Sequence, residues 1–130
     1  MITIIENRFF IEGIFNTLIE AENYLSEHPK KENCRLIETL FSTFPFYIIE
    51  INDKFTYTNE NEVIKYINGI DFDKIENNEE LILNLYRISE PYKSKKYNSD
   101  NMGILEHTHF TKGDIIELKE SNNWEEYLYK

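Results

Sequence analysis

Three histidines and a single cysteine hold most of the metal-ligating and nucleophilic capacity of this 130-residue chain. Two of the histidines sit in His107-Thr108-His109, inside the alternating run from Ile104 to Phe110. Residues two apart on a strand point to the same face, so both imidazoles could reach one Zn²⁺ or Fe²⁺. Such a site needs a third ligand, and Glu106 would face the opposite way. His28, Cys34 or an acid elsewhere would have to converge on the pair from a distance. The sequence therefore assigns no metal, no cofactor and no catalytic residue.

Two charged stretches are the other candidates. Lys93, Lys95 and Lys96 lie beside Tyr92 and Tyr97 in the polar segment Pro91 to Gly103. Positive charge next to stacking rings suits a small phosphate or nucleotide patch, and with His107 and His109 these lysines form a candidate ligand-binding set. The same composition also suits a solvated loop. The acids Asp71, Asp73, Glu76, Glu79 and Glu80 are interleaved with Ile70, Phe72 and Ile75. Apolar anchors ringed by charge suit a protein interface, in which charge sets the on-rate and buried anchors set residence time. Asp71, Phe72, Asp73, Glu76, Glu79 and Glu80 are thus the candidate partner-binding residues. The plainer alternative is that Phe72 and Ile75 pin the segment to the core.

Charge and composition narrow the function classes. Acids outnumber bases 24 to 14, for a net charge of -10 and a pI near 4.8. A nucleic-acid binder that relies on general phosphate attraction needs a basic face, which this balance argues against. One cysteine excludes an intramolecular disulfide and suits a reducing compartment. The N-terminus lacks a basic region followed by an apolar run, and no stretch approaches membrane-spanning length. The sequence reads as cytoplasmic, with no membrane partner. No G-x-G-x-x-G, P-loop, H-E-x-x-H, C-x-x-C or G-x-S-x-G motif occurs.

The elements that must position these residues follow from local pattern. Arg8 to Phe15 reads as a strand, with Gly13 marking a bulge or a close backbone approach. Thr17 and Glu20 form a capping box for a helix through Leu18, Ala21, Tyr24 and Leu25, which stops before Pro29. Cys34 to Leu40 is a second strand. Phe44 to Ile51, rich in aromatic and β-branched residues, is a buried strand ending at the turn Asn52-Asp53. A short extended piece, Phe55 to Thr58, precedes a helix marked by Asn59 and Glu62 at its start and Gly69 at its end. Leu81 to Ile88 is a strong strand. Residues Gly113 to Lys119 fit helix or strand equally, and Trp124 to Tyr129 is a short terminal element.

Placed side by side, residues 1–43 and 44–90 each read as strand, capped helix, strand. Two such β-α-β units give an α+β, ferredoxin-like single domain: a mainly antiparallel sheet with two helices on one face, extended by residues 91–130. Glu12 and Glu50, at matching places in the two units, should then have similar surroundings. The functional expectation is a non-catalytic acidic protein that neutralises a basic protein partner, in the manner of a bacterial toxin immunity protein or a phage-borne inhibitor. The alternatives are a small enzyme or metal-dependent protein using His107 and His109, or a ligand-sensing module.

Overall fold

The computed structural model describes residues 1–7, 10–93 and 107–122. It is an α+β structure with two four-stranded sheets. Its contacts divide it into two compact units, one formed by Met1–Phe46 with Arg87–Glu106 and one by Tyr47–Tyr86 with His107–Lys130. No helix among the described residues is long and apolar enough to cross a membrane.

The first sheet is built from β1 (Thr3–Glu6), β2 (Ile11–Phe15), β3 (Arg35–Glu38) and β7 (Tyr92–Lys93), in the order β3-β1-β2-β7. The β1/β2, β1/β3 and β2/β7 pairs are antiparallel. Ile2, Ile4 and Ile5 are buried, so the apolar start of the chain, where the sequence predicted no strand, contributes a sheet interior. α1 (Leu18–Ser26) packs over β1 and β2. Thr17 is its N-cap, accepting from the Glu20 amide at 3.3 Å while its own hydroxyl donates to the Glu20 carboxylate at 3.1 Å. Ala21 is buried against Ile5 and Phe15, with Tyr24, Leu25, Cys34 and Leu36 packed around them.

The second sheet orders β4 (Phe46–Ile51), β5 (Lys54–Thr58), β6 (Ile82–Ile88) and β8 (His107–Thr111) as β5-β4-β6-β8. β4 and β5 form an antiparallel hairpin whose two-residue loop is Asn52-Asp53, both at positive φ (52° and 63°). Asn and Asp tolerate that region, which gives the loop the twist the strands require. α2 (Val63–Asn68) and α3 (Lys112–Ser121) contribute Val63, Ile67, Ile115 and Leu118 to one core with Tyr47, Ile49, Leu83, Leu85 and Phe110. The ambiguous segment 113–119 is helical because Thr111 and Asp114 form a reciprocal capping box at its start.

The predicted strand at Phe44 to Ile51 exists and lies beside Ile82–Ile88, but β2 belongs to the other sheet. The predicted tandem repeat in a single ferredoxin-like sheet is therefore corrected. In the first unit β1 separates β2 from β3, whereas in the second β4 and β6 are neighbours. Local strand–helix–strand order had suggested the same topology for both. Residues 44–90 supply β4, β5 and β6 to the second sheet, whereas residues 91–130 supply β7 to the first and β8 to the second.

The expected irregularity at Gly13 is present. The β1/β2 register runs Ile4 to Ile14, Ile5 to Gly13 and then Glu6 to Ile11, so Glu12 is the extra residue of a bulge. A Cβ on Gly13 would lie 2.4 Å from Cε2 of Phe15, a ring that is itself fully buried. Gly13→Ala should consequently destabilise the protein by about 1–3 kcal/mol, the usual cost of overpacking, measured as a lowered denaturant midpoint at unchanged slope. An unchanged midpoint would show that the Phe15 ring yields freely.

Candidate functional site

A bulge lets a strand aim one side chain out of its ordinary alternation. Here it carries Glu12, which is fully buried within a strand whose five residues are all buried. A carboxylate in such a place must be hydrogen-bonded, because burying an uncompensated charge costs several kcal/mol or more. Asn7 Nδ2 donates to Oε1 at 3.1 Å, and the Tyr24 hydroxyl donates to Oε2 at 3.1 Å. His28 Nε2 lies 2.6 Å from the same Oε2. Tyr24 and His28, four residues apart around the end of α1, meet edge to face with ring centroids 6.0 Å apart.

The proton on His28 can be placed from its second nitrogen. The Lys30 backbone N–H donates to Nδ1 at 2.9 Å, so Nδ1 carries a lone pair and the proton sits on Nε2, directed at Glu12. Cys34 completes the group from the entrance to β3. Its Sγ is 3.7 Å from His28 Nε2 and 3.9 Å from the Lys30 carbonyl, to which it donates. Burial first, and then the Glu12 carboxylate, push the Cys34 thiol up to about 11. A thiol so held stays protonated, and the imidazole beside it has its proton committed to Glu12. The trio thus lacks the thiolate–imidazolium pair of a cysteine nucleophile.

The sequence-predicted candidates fall elsewhere. Asp71, Asp73, Glu76, Glu79 and Glu80 are exposed in the segment between α2 and β6, which contains the 3₁₀ turns Phe72–Lys74 and Asn78–Glu80. Phe72 and Ile75 are half-buried and pack against the second core. Lys112 and Lys119 place Nζ 5.5 Å and 4.8 Å from the Phe72 ring centroid. Lys112 also bonds Glu79 at 3.0 Å, and Lys119 donates to the Ile70 carbonyl at 2.8 Å. Asp71 caps its own turn by accepting from the Asp73 amide at 3.1 Å.

The chain matches no protein-family model, no curated protein and no solved structure. The geometry alone ranks the sites.

The candidate ligand set is divided. Lys93 belongs to the first unit, its Nζ 6.0 Å from the Phe15 ring centroid, whereas His107 and His109 belong to β8 of the second. Lys95 and Lys96, like Trp124 to Tyr129, lie outside the described residues. His109 is exposed and bonded through Nδ1 to Asn84 Oδ1, while Asn84 Nδ2 donates to Glu50 Oε1 at 2.9 Å. Glu50 is only half-buried and also accepts weakly from the Asp53 amide at 3.4 Å. Its surroundings differ from those of Glu12, as the separate sheets require.

Sequence reasoning left Glu12 without a role. Its signal was a lone carboxylate inside the apolar run Ile11-Glu12-Gly13-Ile14-Phe15, next to a glycine and within reach of a His and the single Cys six residues apart. Replacing Glu12 by Gln puts an amide donor among groups that already donate. We expect a loss of about 2–4 kcal/mol in unfolding free energy, read by denaturant titration. Cys34 offers a second check. Against the ordinary value of 9.0, its raised value leaves roughly a hundredfold less thiolate near pH 8. Alkylation of the folded protein should lag well behind that of the denatured chain and accelerate up to about pH 11. Equal rates in the two states would contradict the geometry.

Proposed function

We propose that this is a non-catalytic acidic binding protein that neutralises a basic protein partner, as a bacterial toxin immunity protein or a phage-borne inhibitor does, and that it works in the cytoplasm. The observation that carries the reading is the segment from Asp71 to Glu80. Its five carboxylates face solvent while Phe72 and Ile75 hold its backbone to the core. Charge on a fixed backbone steers an oppositely charged partner and loses little conformational entropy on docking.

The remainder of the surface supports the same chemistry. The net charge of -10 extends the attraction beyond this segment. Next to the acids, a cavity of about 610 Å³ is lined by Ile51, Ile70 and Ile75 together with Glu62, Asp71, Lys65 and Lys74. An apolar side chain of the partner seated there would supply the residence time that exposed charge cannot. Phe72, covered by two lysines, is a support for the segment rather than a contact.

The test is a complex with a stoichiometric partner recovered from the native host at low salt. Its affinity should fall at least about tenfold when ionic strength rises from roughly 0.05 to 0.5 M. It should fall similarly in the triple variant Asp73→Asn, Glu76→Gln, Glu80→Gln, whose fold should be unchanged. Failure to recover any partner, or a complex indifferent to both changes, would contradict the reading.

A further inference from the structure

The group around Glu12 plays no part in the proposed binding face, and its donor set has a chemistry of its own. We infer that Glu12, His28 and Cys34 form a binding site for a thiophilic divalent cation of the zinc type, held by Glu12 Oε2, His28 Nε2 and Cys34 Sγ. These three ligand atoms all lie within 4.8 Å of one another. One carboxylate, one imidazole and one thiolate make a mixed O, N, S set that suits Zn²⁺ and disfavours Mg²⁺ or Ca²⁺, which take oxygen ligands.

The distances require little rearrangement. Tetrahedral Zn²⁺ with bonds of about 2.0–2.3 Å separates neighbouring ligand atoms by about 3.3–3.6 Å. Cys34 Sγ and His28 Nε2 already stand 3.7 Å apart, and the His28–Glu12 contact opens from 2.6 Å. The surroundings supply the outer layer that orients ligands. Asn7 holds Oε1 of Glu12, leaving Oε2 for the ion, and the Tyr24 hydroxyl reaches the same oxygen. Cys34 is half-buried and gives the ion a way in, whereas Glu12 and His28 are buried. A carboxylate and a thiolate together balance the charge of the dication, which is what makes its burial tolerable.

Proton balance follows from the hydrogen bonds. Binding displaces the Cys34 S–H proton to solvent and moves the His28 proton from Nε2 to Nδ1, for a net release of one proton. Nδ1 then becomes a donor facing the Lys30 N–H, so that amide must turn away from the ring. Uptake is thus coupled to the conformation of the Glu27–Cys34 connection between α1 and β3. Affinity should rise about tenfold per pH unit while the thiol is protonated.

The experiment uses the full chain, freed of metal by a chelator and titrated with Co²⁺ alone or Zn²⁺ alone. One equivalent of Co²⁺ should produce visible d–d bands and a near-ultraviolet thiolate-to-cobalt band. Cys34→Ser should abolish the thiolate band. Both Cys34→Ser and His28→Gln should weaken Zn²⁺ by more than the roughly 10–100-fold expected for the outer-layer variant Asn7→Ala. His109→Ala should leave binding unchanged. Circular dichroism establishes that each variant is folded, and if His28→Gln is not, Cys34→Ser at its half-buried position carries the test. Folded wild-type protein that takes up neither ion, Co²⁺ uptake without a thiolate band, or Zn²⁺ affinity unchanged in Cys34→Ser would overturn the proposal.

Discussion

The carboxylate of Glu12 is the constraint to which the first unit is built. It reaches the α1 side of the sheet through a β-bulge, and it is buried where an isolated charge could not survive. Donors from three different parts of the chain meet it there: Asn7 from the β1–β2 connection, Tyr24 from the last turn of α1, and His28 from beyond that helix. Each bond to a charged acceptor contributes on the order of 1.5–3 kcal/mol, with a larger cost if one partner is removed. Through His28 the network extends to the Lys30 amide and fixes the turn that delivers Cys34. One side chain thereby sets the end of α1, the connection after it and the entrance to β3.

The second unit is organised differently. Its core is apolar, contributed by β4, β6, β8, α2 and α3, and among its described residues no charged side chain is fully buried. Lysines from α3 reach across to the 70–80 segment, covering Phe72 and holding Glu79 and the Ile70 carbonyl. An isolated exposed ion pair contributes little. Together with the half-buried Phe72 and Ile75, however, these contacts give an irregular acidic segment a defined course.

Local chemistry was legible in the sequence wherever one residue type decides the backbone. Thr17, Pro29, Gly69 and the Asn52-Asp53 loop marked helix and hairpin ends correctly, and Gly13 marked the bulge. Partnering of strands was not legible, because β2 and β4 have similar composition and similar succeeding elements yet join different sheets. Long-range pairing depends on which apolar faces fit together, which no local pattern encodes. The acidic segment was visible as charge, and the burial of Phe72 could be framed only as one of two outcomes. The Glu12 group escaped notice because its members are distant in sequence. The bulge redirects Glu12 and the helix end redirects His28, so neither strand nor helix periodicity points one at the other.

The central claim is that a single hydrogen-bond network, centred on the Glu12 carboxylate, determines the tautomer and orientation of His28. Nitrogen-15 NMR of the histidine rings in metal-free protein tests it most directly. The expected spectrum shows His28 as the Nε2–H tautomer, with a bare Nδ1 that is hydrogen-bonded to the Lys30 amide and an Nε2 proton protected from exchange. A ring protonated at Nδ1, or one averaging between tautomers as in free solution, would contradict the account.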